Sequence, residues 1–151
     1  MRAAFLLASL ATLCACSTTR SSVVDASASR TLVRGYQTGI AEAGVCAARD
    51  AGEWRALWAR HAATVVPRPD APEVDFAHDM VVCVTLGTRP TFGYAVEIRR
   101  VFQLDDTHVG VEIAETQPAP DAILPQVVTQ PYHMVVTPRL AGLPVIVDGA
   151  R

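Results

Sequence analysis

The chain is 151 residues long, 50% hydrophobic and 19% charged, a composition that excludes an intrinsically disordered protein and fits one compact domain with short extensions. Its 13 basic residues, every one an arginine, stand against 15 acidic ones for a formal net charge of -2. That balance excludes the broad positive field that attracts nucleic acid, so no nucleic-acid partner is expected.

The first stretch, "MRAAFLLASLATLCAC", carries one arginine, then an apolar run closing on small residues, and reads as a secretory signal over residues 1–15. It is too short to span a bilayer comfortably. Its end, Leu13-Cys14-Ala15-Cys16, resembles the bacterial lipobox. That resemblance implies cleavage before Cys16, diacylation of its sulfur and acylation of its new amino group. Two or three acyl chains suffice for stable anchoring, which places the expected product on an envelope membrane without crossing it. Residues 16–31 then form the lipidated cysteine and a Ser/Thr/Ala-rich tether, "STTRSSVVDASASR", that would hold the domain roughly 20 Å from its anchor. Ser17 stands where an aspartate resembles the inner-membrane retention signal, so sorting to the outer membrane of a Gram-negative cell is expected.

The domain proper is expected over residues 32–151. A strand is expected within "YQTGIAEAGVCAA" (36–48). Residues 47–62, "ARDAGEWRALWARHAA", predict a helix: Asp50 and Glu53 form a capping-box variant, and Trp54, Leu57, Trp58 and His61 recur at helical spacing. Paired tryptophans suit a carbohydrate or peptide platform, but Leu57 on the same stripe favours core packing. Pro67, Pro69 and Pro72 then impose an extended linker. "MVVCVTLG" (80–87) reads as a strand covered on both faces. "YAVEI" (94–98) and "HVGVEIAE" (108–115) alternate and, with "LDDTH" between them, predict a hairpin over 94–115. Further strands are expected at "YHMVVT" (132–137) and "LPVIVD" (143–148), joined by a short "PRLAG" turn. The fold class is therefore α+β and mainly antiparallel β, a small sandwich-like or barrel-like sheet with one amphipathic helix near its N-terminal side.

With Cys14 removed and Cys16 lipidated, Cys46 and Cys83 remain in an exported, disulfide-permissive domain. They either pair or sit separately as small buried residues, and two lone cysteines do not choose between these. Catalysis is not expected. No Gly-x-Ser-x-Gly elbow occurs, and His61, His78, His108 and His133 are scattered singly without metal-ligand spacing. Asp105 and Asp106 sit in a turn as solvated charge. Neither a cofactor, a metal nor a small-molecule substrate is expected.

The informative positions lie in loops. Gly87, Pro90 and Gly93 restrict or free the backbone at close spacing and enclose Arg89 and Phe92, which a bare hairpin turn would not require. A second loop, 115–132, carries Pro118, Pro120, Pro125 and Pro131, and a proline-stiffened loop loses less entropy when a partner binds. Two such loops form either a protein-binding edge or orderly connections.

The spaced runs "GEWRALWARH", "PEVDFAHDMVVCVTLGTRPTFGYAVEIRRV", "VEIAETQPAP" and "VVTQPYHMVVTP" resemble the C-terminal domain of the PrcB family, over nearly all of residues 34–147. The family takes its name from a bacterial lipoprotein subunit of a surface protease complex. The resemblance implies a Trp-x-x-Leu-Trp helix (Trp54, Leu57, Trp58), a Val-Asp-Phe entry (Val74, Asp75, Phe76) and a Gly-x-x-Pro-Thr-Gly-Gly-Tyr loop. Here that loop is Gly87, Thr88, Arg89, Pro90, Thr91, Phe92, Gly93 and Tyr94, with Phe92 in place of the first paired glycine. The loop is also similar to the Asn-Pro-Thr-Thr-Gly-Tyr loop of chagasin-type cysteine-protease inhibitors, with Arg89 at the Asn position. Gln130, Pro131 and Tyr132 echo the inhibitors' Arg-Pro-Trp motif. The expectation is a noncatalytic envelope lipoprotein domain that binds an exported protein, as an accessory or stabilising subunit of a protease complex. The alternative is a chagasin-like inhibitor presenting residues 87–94.

Overall fold

The computed structural model describes residues 29–147. The signal segment, Cys16 and the tether up to residue 28 lie outside the described residues, as do residues 148–151. In chain order the elements are β1 (Arg30–Gly35), β2 (Ala43–Ala48), α1 (Ala51–His61) with a 3-10 turn at Ala62–Thr64, β3 (Asp79–Leu86), β4 (Ala95–Gln103), β5 (His108–Thr116), β6 (Tyr132–Pro138) and β7 (Leu143–Val147). They make a four-stranded sheet in the order β1-β6-β3-β2 and a three-stranded sheet in the order β4-β5-β7. Every pairing is antiparallel except β5 with β7. The architecture is an α+β sandwich, mainly antiparallel, and not a closed barrel.

Successive residues of a strand point to opposite faces, and β3 is apolar on both. Val81 and Cys83 pack with Trp54, Leu57, Trp58, Met134 and Val136 on the helix side. Met80, Val82, Val84 and Leu86 pack with Val96, Ile98, Val101, Val109 and Val111 of the second sheet. The four-stranded sheet is thus the middle of three layers, with α1 on one face and the three-stranded sheet on the other. Each fully buried valine or methionine here contributes on the order of 1.5–3 kcal/mol, and this burial holds the layers together.

α1 starts where its sequence says it should. Asp50 Oδ1 accepts the N–H groups of Gly52 at 2.7 Å and Glu53 at 2.8 Å, satisfying two donors of the open first turn. Glu53 Oε2 reaches back to the N–H of Arg49, one residue earlier than in the standard capping box. The stripe Trp54, Leu57, Trp58 and His61 is buried. The proline-rich linker lies against it, with the Trp54 and Trp58 ring N–H groups donating to the carbonyls of Pro72 and Pro69 at 2.9 and 2.8 Å.

β4 and β5 form the expected hairpin, with one departure from strict alternation. The register shifts between Ile98 and Arg100, so Val101 turns inward where continued alternation would have sent Arg100. Cys46 and Cys83 stand opposite each other in the β2–β3 register and are joined by a disulfide, their Cα atoms 5.1 Å apart.

Two expectations need correction, at β1 and at β7. β1 takes in Arg30 and Thr31, assigned above to the tether, because they pair with Val136 and Val135 of β6. The strand expected within residues 36–48 is β2, Ala43–Ala48. β7 does not continue beside β6: the chain crosses between the sheets after Pro138, and β7 runs parallel to β5.

Candidate partner-binding face

The loop between β3 and β4 owes its path to two glycines. Gly87 has φ +72°, and a Cβ there would stand 2.8 Å from the Ala43 nitrogen; Gly93 has φ +96°, and its Cβ would stand 2.8 Å from Pro118 Cβ. Among the described residues no non-glycine has positive φ, so Phe92 sits in this glycine-bounded loop without left-handed backbone strain.

The two loops are tied together. Arg89 and Thr129 form an isolated antiparallel bridge, exchanging N–H···O bonds of 2.8 and 2.9 Å. Thr129, fully buried, also donates its hydroxyl to the Thr91 carbonyl at 3.0 Å. A third segment joins them where the Gln130 N–H donates to the Tyr36 carbonyl at 2.7 Å. Arg89 and Thr91, on either side of Pro90, are therefore held to the second loop, which is itself tied to Tyr36, while Phe92 and Tyr36 remain partly exposed.

Phe92 is 36% exposed and Tyr36 49% exposed, and their rings meet edge to face with centroids 6.0 Å apart. From the second loop, Ile123 is fully exposed, and Val127 and Val128 are exposed as well. The Arg89 guanidinium lies 5.7 Å from the centroid of the half-buried Tyr94 ring. Among the described residues Arg89 has no ion-pair partner. Pro90 is exposed and Thr91 half-buried, its hydroxyl donating to the Phe92 carbonyl at 3.0 Å.

Not every residue assigned to the second loop stands on this face. Pro118 is half-buried against Gly93, Pro120 is exposed, and Gln130 contributes its backbone. Pro131 and Tyr132 are buried and do not belong to it. Tyr132 opens β6 with its ring on the helix side, 4.6 Å from His61, while the Pro131 carbonyl accepts the Leu86 N–H at 2.9 Å. Strand alternation turns Tyr132 inward, away from the loop. Sequence reasoning missed Tyr36, Ile123, Val127 and Val128. The last three carried a usable signal, being large apolar residues in a proline-rich stretch with no periodicity to bury them.

Several titratable groups are buried or paired. His61 and His133 are buried, and burial lowers the pKa of both. His78 pairs with Asp75 at 2.8 Å, an exposed contact that raises the histidine and lowers the carboxylate. The Thr107 hydroxyl and N–H bring Asp105 down to about 2, with His108 adding to the effect. Among the described residues no three His, Cys, Asp or Glu side chains gather as a metal site. A groove of about 850 Å³ is lined by α1 and residues 68–76, including Trp54, Arg55, Trp58, Pro69, Pro72 and Phe76. Trp54 and Trp58 are only 3% and 7% exposed, so they pack as core and are not presented as a platform. Among the described residues no helix is long and apolar enough to cross a membrane.

Comparison with known families gives a match over part of the chain. The family model described as PrcB C-terminal matches residues 80–138. The match begins in β3 and ends in β6, taking in the β4–β5 hairpin and both loops of the face but not α1. It supports recognition of a PrcB C-terminal domain, over a shorter span than the resemblance read from residues 34–147. No curated protein and no solved structure gives a significant match.

Proposed function

We propose that the PrcB C-terminal match marks a noncatalytic domain that binds an exported protein, as an accessory or stabilising subunit of a protease complex. The match suggests a protease-complex-associated domain. The finer reading rests on one observation: Phe92 and Tyr36 form an exposed aromatic pair on a backbone pinned by the Arg89–Thr129 bridge. A restrained aromatic loses little conformational entropy when a partner buries it, the property that makes such residues binding anchors. Arg89 beside the pair supplies a cation for a charge-assisted contact with a partner carboxylate. Ile123, Val127 and Val128 extend the apolar surface. The lipobox resemblance adds a lipid anchor on Cys16, which brings the domain to an envelope membrane and raises its effective concentration toward partners held there.

Affinity capture tests this reading, with the tagged full chain as bait in detergent-solubilised envelopes and captured protein assayed for protease activity. A partner retained by the wild-type chain, lost by a Tyr36→Ser/Phe92→Ala variant, and active when bound supports the accessory role. A partner whose activity falls as bait is added assigns the face to inhibition instead. Capture that is equal for wild type and variant rejects the face.

A further inference from the structure

We propose that His133 is a pH-sensitive latch between the two sheets, holding the edge of β4 to β6 when neutral and releasing it when protonated. β6 aims His133 into the layer between the sheets, where it is 3% exposed. Its Nδ1 lies 2.8 Å from the backbone nitrogen of Ile98, and its Nε2 lies 3.0 Å from Thr31 Oγ1. A backbone N–H can only donate, so Nδ1 must carry the lone pair and Nε2 the proton, which it donates to Thr31. One neutral tautomer thus joins β1, β6 and β4.

The position of this bond in β4 gives it leverage. β4 ends its sheet, with β5 on one side only, and the Ile98 N–H donates to the imidazole of the other sheet. The register shift between Ile98 and Arg100 follows at once, where the ladder is locally weakest. Protonation would set a second N–H against that of Ile98, turning a hydrogen bond into two opposed donors and orphaning a buried amide. The charged groups brought toward His133 are Arg34, its register partner on β1, and Glu97 on β4; β3 offers only Val84. Glu97 is engaged by Arg34 at 3.9 Å and Arg99 at 3.4 Å, so its carboxylate is committed elsewhere. Burial first, then Arg34, disfavours the imidazolium, against a smaller opposing pull from Glu97. Release therefore lies below the ordinary histidine range. β4 begins just after Tyr94 and β6 just after Gln130 and Pro131, so the latch fixes the spacing between the roots of the two loops. This holds whatever those loops bind.

The test is residue-level amide exchange in the full chain, expressed as protection factors, with Val82 of the central strand as internal reference. As pH falls from about 7.5 to below the ordinary histidine range, the protection of Ile98 should fall about tenfold or more while that of Val82 is kept. The His133 Nδ1 nitrogen resonance should move from unprotonated to protonated over the same range. His133→Asn places an amide oxygen where Nδ1 accepts and cannot titrate, so it should retain Ile98 protection and remove the pH dependence. Constant Ile98 protection in the wild-type chain overturns the proposal, as does a loss shared equally by Val82 or an Nδ1 resonance protonated throughout. If His133→Asn does not fold, the wild-type exchange and resonance data decide alone.

Discussion

Phe92, Arg89 and the four histidines show how far single residues were readable. Phe92 was conspicuous because it interrupts a glycine-rich loop, but that it would rest edge-on against Tyr36 depends on a backbone bond between Gln130 and Tyr36 that no local pattern encodes. Tyr132 was misplaced on the face for a related reason, since a tyrosine after a proline reads as loop until the strand that it opens is seen. The buried histidines carry a pH prediction. The pKa of His61 and of His133 is lowered from 6.5 in the folded chain, so the unfolded chain binds more protons as pH falls. Their contribution to stability is full above 6.5 and is lost as pH drops through that value toward the folded pKa. His78, raised by Asp75, acts in the opposite sense, but solvent screens that exposed pair. Melting temperature should therefore fall between about pH 7 and about pH 5, before the carboxylates of Asp75 and Asp105 titrate. A flat profile across that window would show that burial does not hold these two histidines neutral.

Among the elements, α1, β3 and the β4–β5 hairpin were legible because each carries its own periodicity or turn chemistry: the Trp54, Leu57, Trp58 and His61 stripe with its Asp50 cap, the apolar run of 80–84, and alternation either side of "LDDTH". β1 was not. Its partner is β6, roughly a hundred residues away, and a register shift between Thr31 and Val33 breaks the alternation that would have revealed it. β7 was found as a strand but not as a parallel partner of β5, because the "PRLAG" turn resembles a hairpin connection whichever sheet the chain enters next. For α1 the account makes a firm demand. Trp54 is buried against Trp58, with centroids 5.3 Å apart, and its ring N–H holds the Pro72 carbonyl. Trp54→Ala should cost about 3–5 kcal/mol in urea or thermal unfolding, through the cavity left and the released linker. A variant that unfolds like the wild type would make the tryptophan stripe an interface and not a core.

At the scale of the whole molecule, three layers place the functional candidates at one end. The helix and the three-stranded sheet cover the two faces of the middle sheet, leaving the loops that leave β3 and enter β6 to meet beyond the strand ends. The Cys46–Cys83 disulfide clasps β2 to β3 on the helix side and closes a sequence separation of 37 residues. The sequence left this pairing open because only the β2–β3 register brings the two sulfurs opposite. Replacing both cysteines by alanine should lower unfolding free energy by about 4 kcal/mol, a loss that denaturant titration would show and that reductant would reproduce in the wild-type chain. The family match covers the loops of the face but leaves the partner to be found by experiment. The central claim, that the pinned loop presents Phe92 to another protein, is tested most directly by comparing wild type with Phe92→Ala in parallel melting and envelope-capture experiments. The account predicts a melting temperature within a few degrees of wild type, since the ring is 36% exposed, and a loss of captured partner of about tenfold or more. A lowered melting temperature with capture undiminished in the folded fraction would contradict it, making Phe92 a structural residue of its own domain.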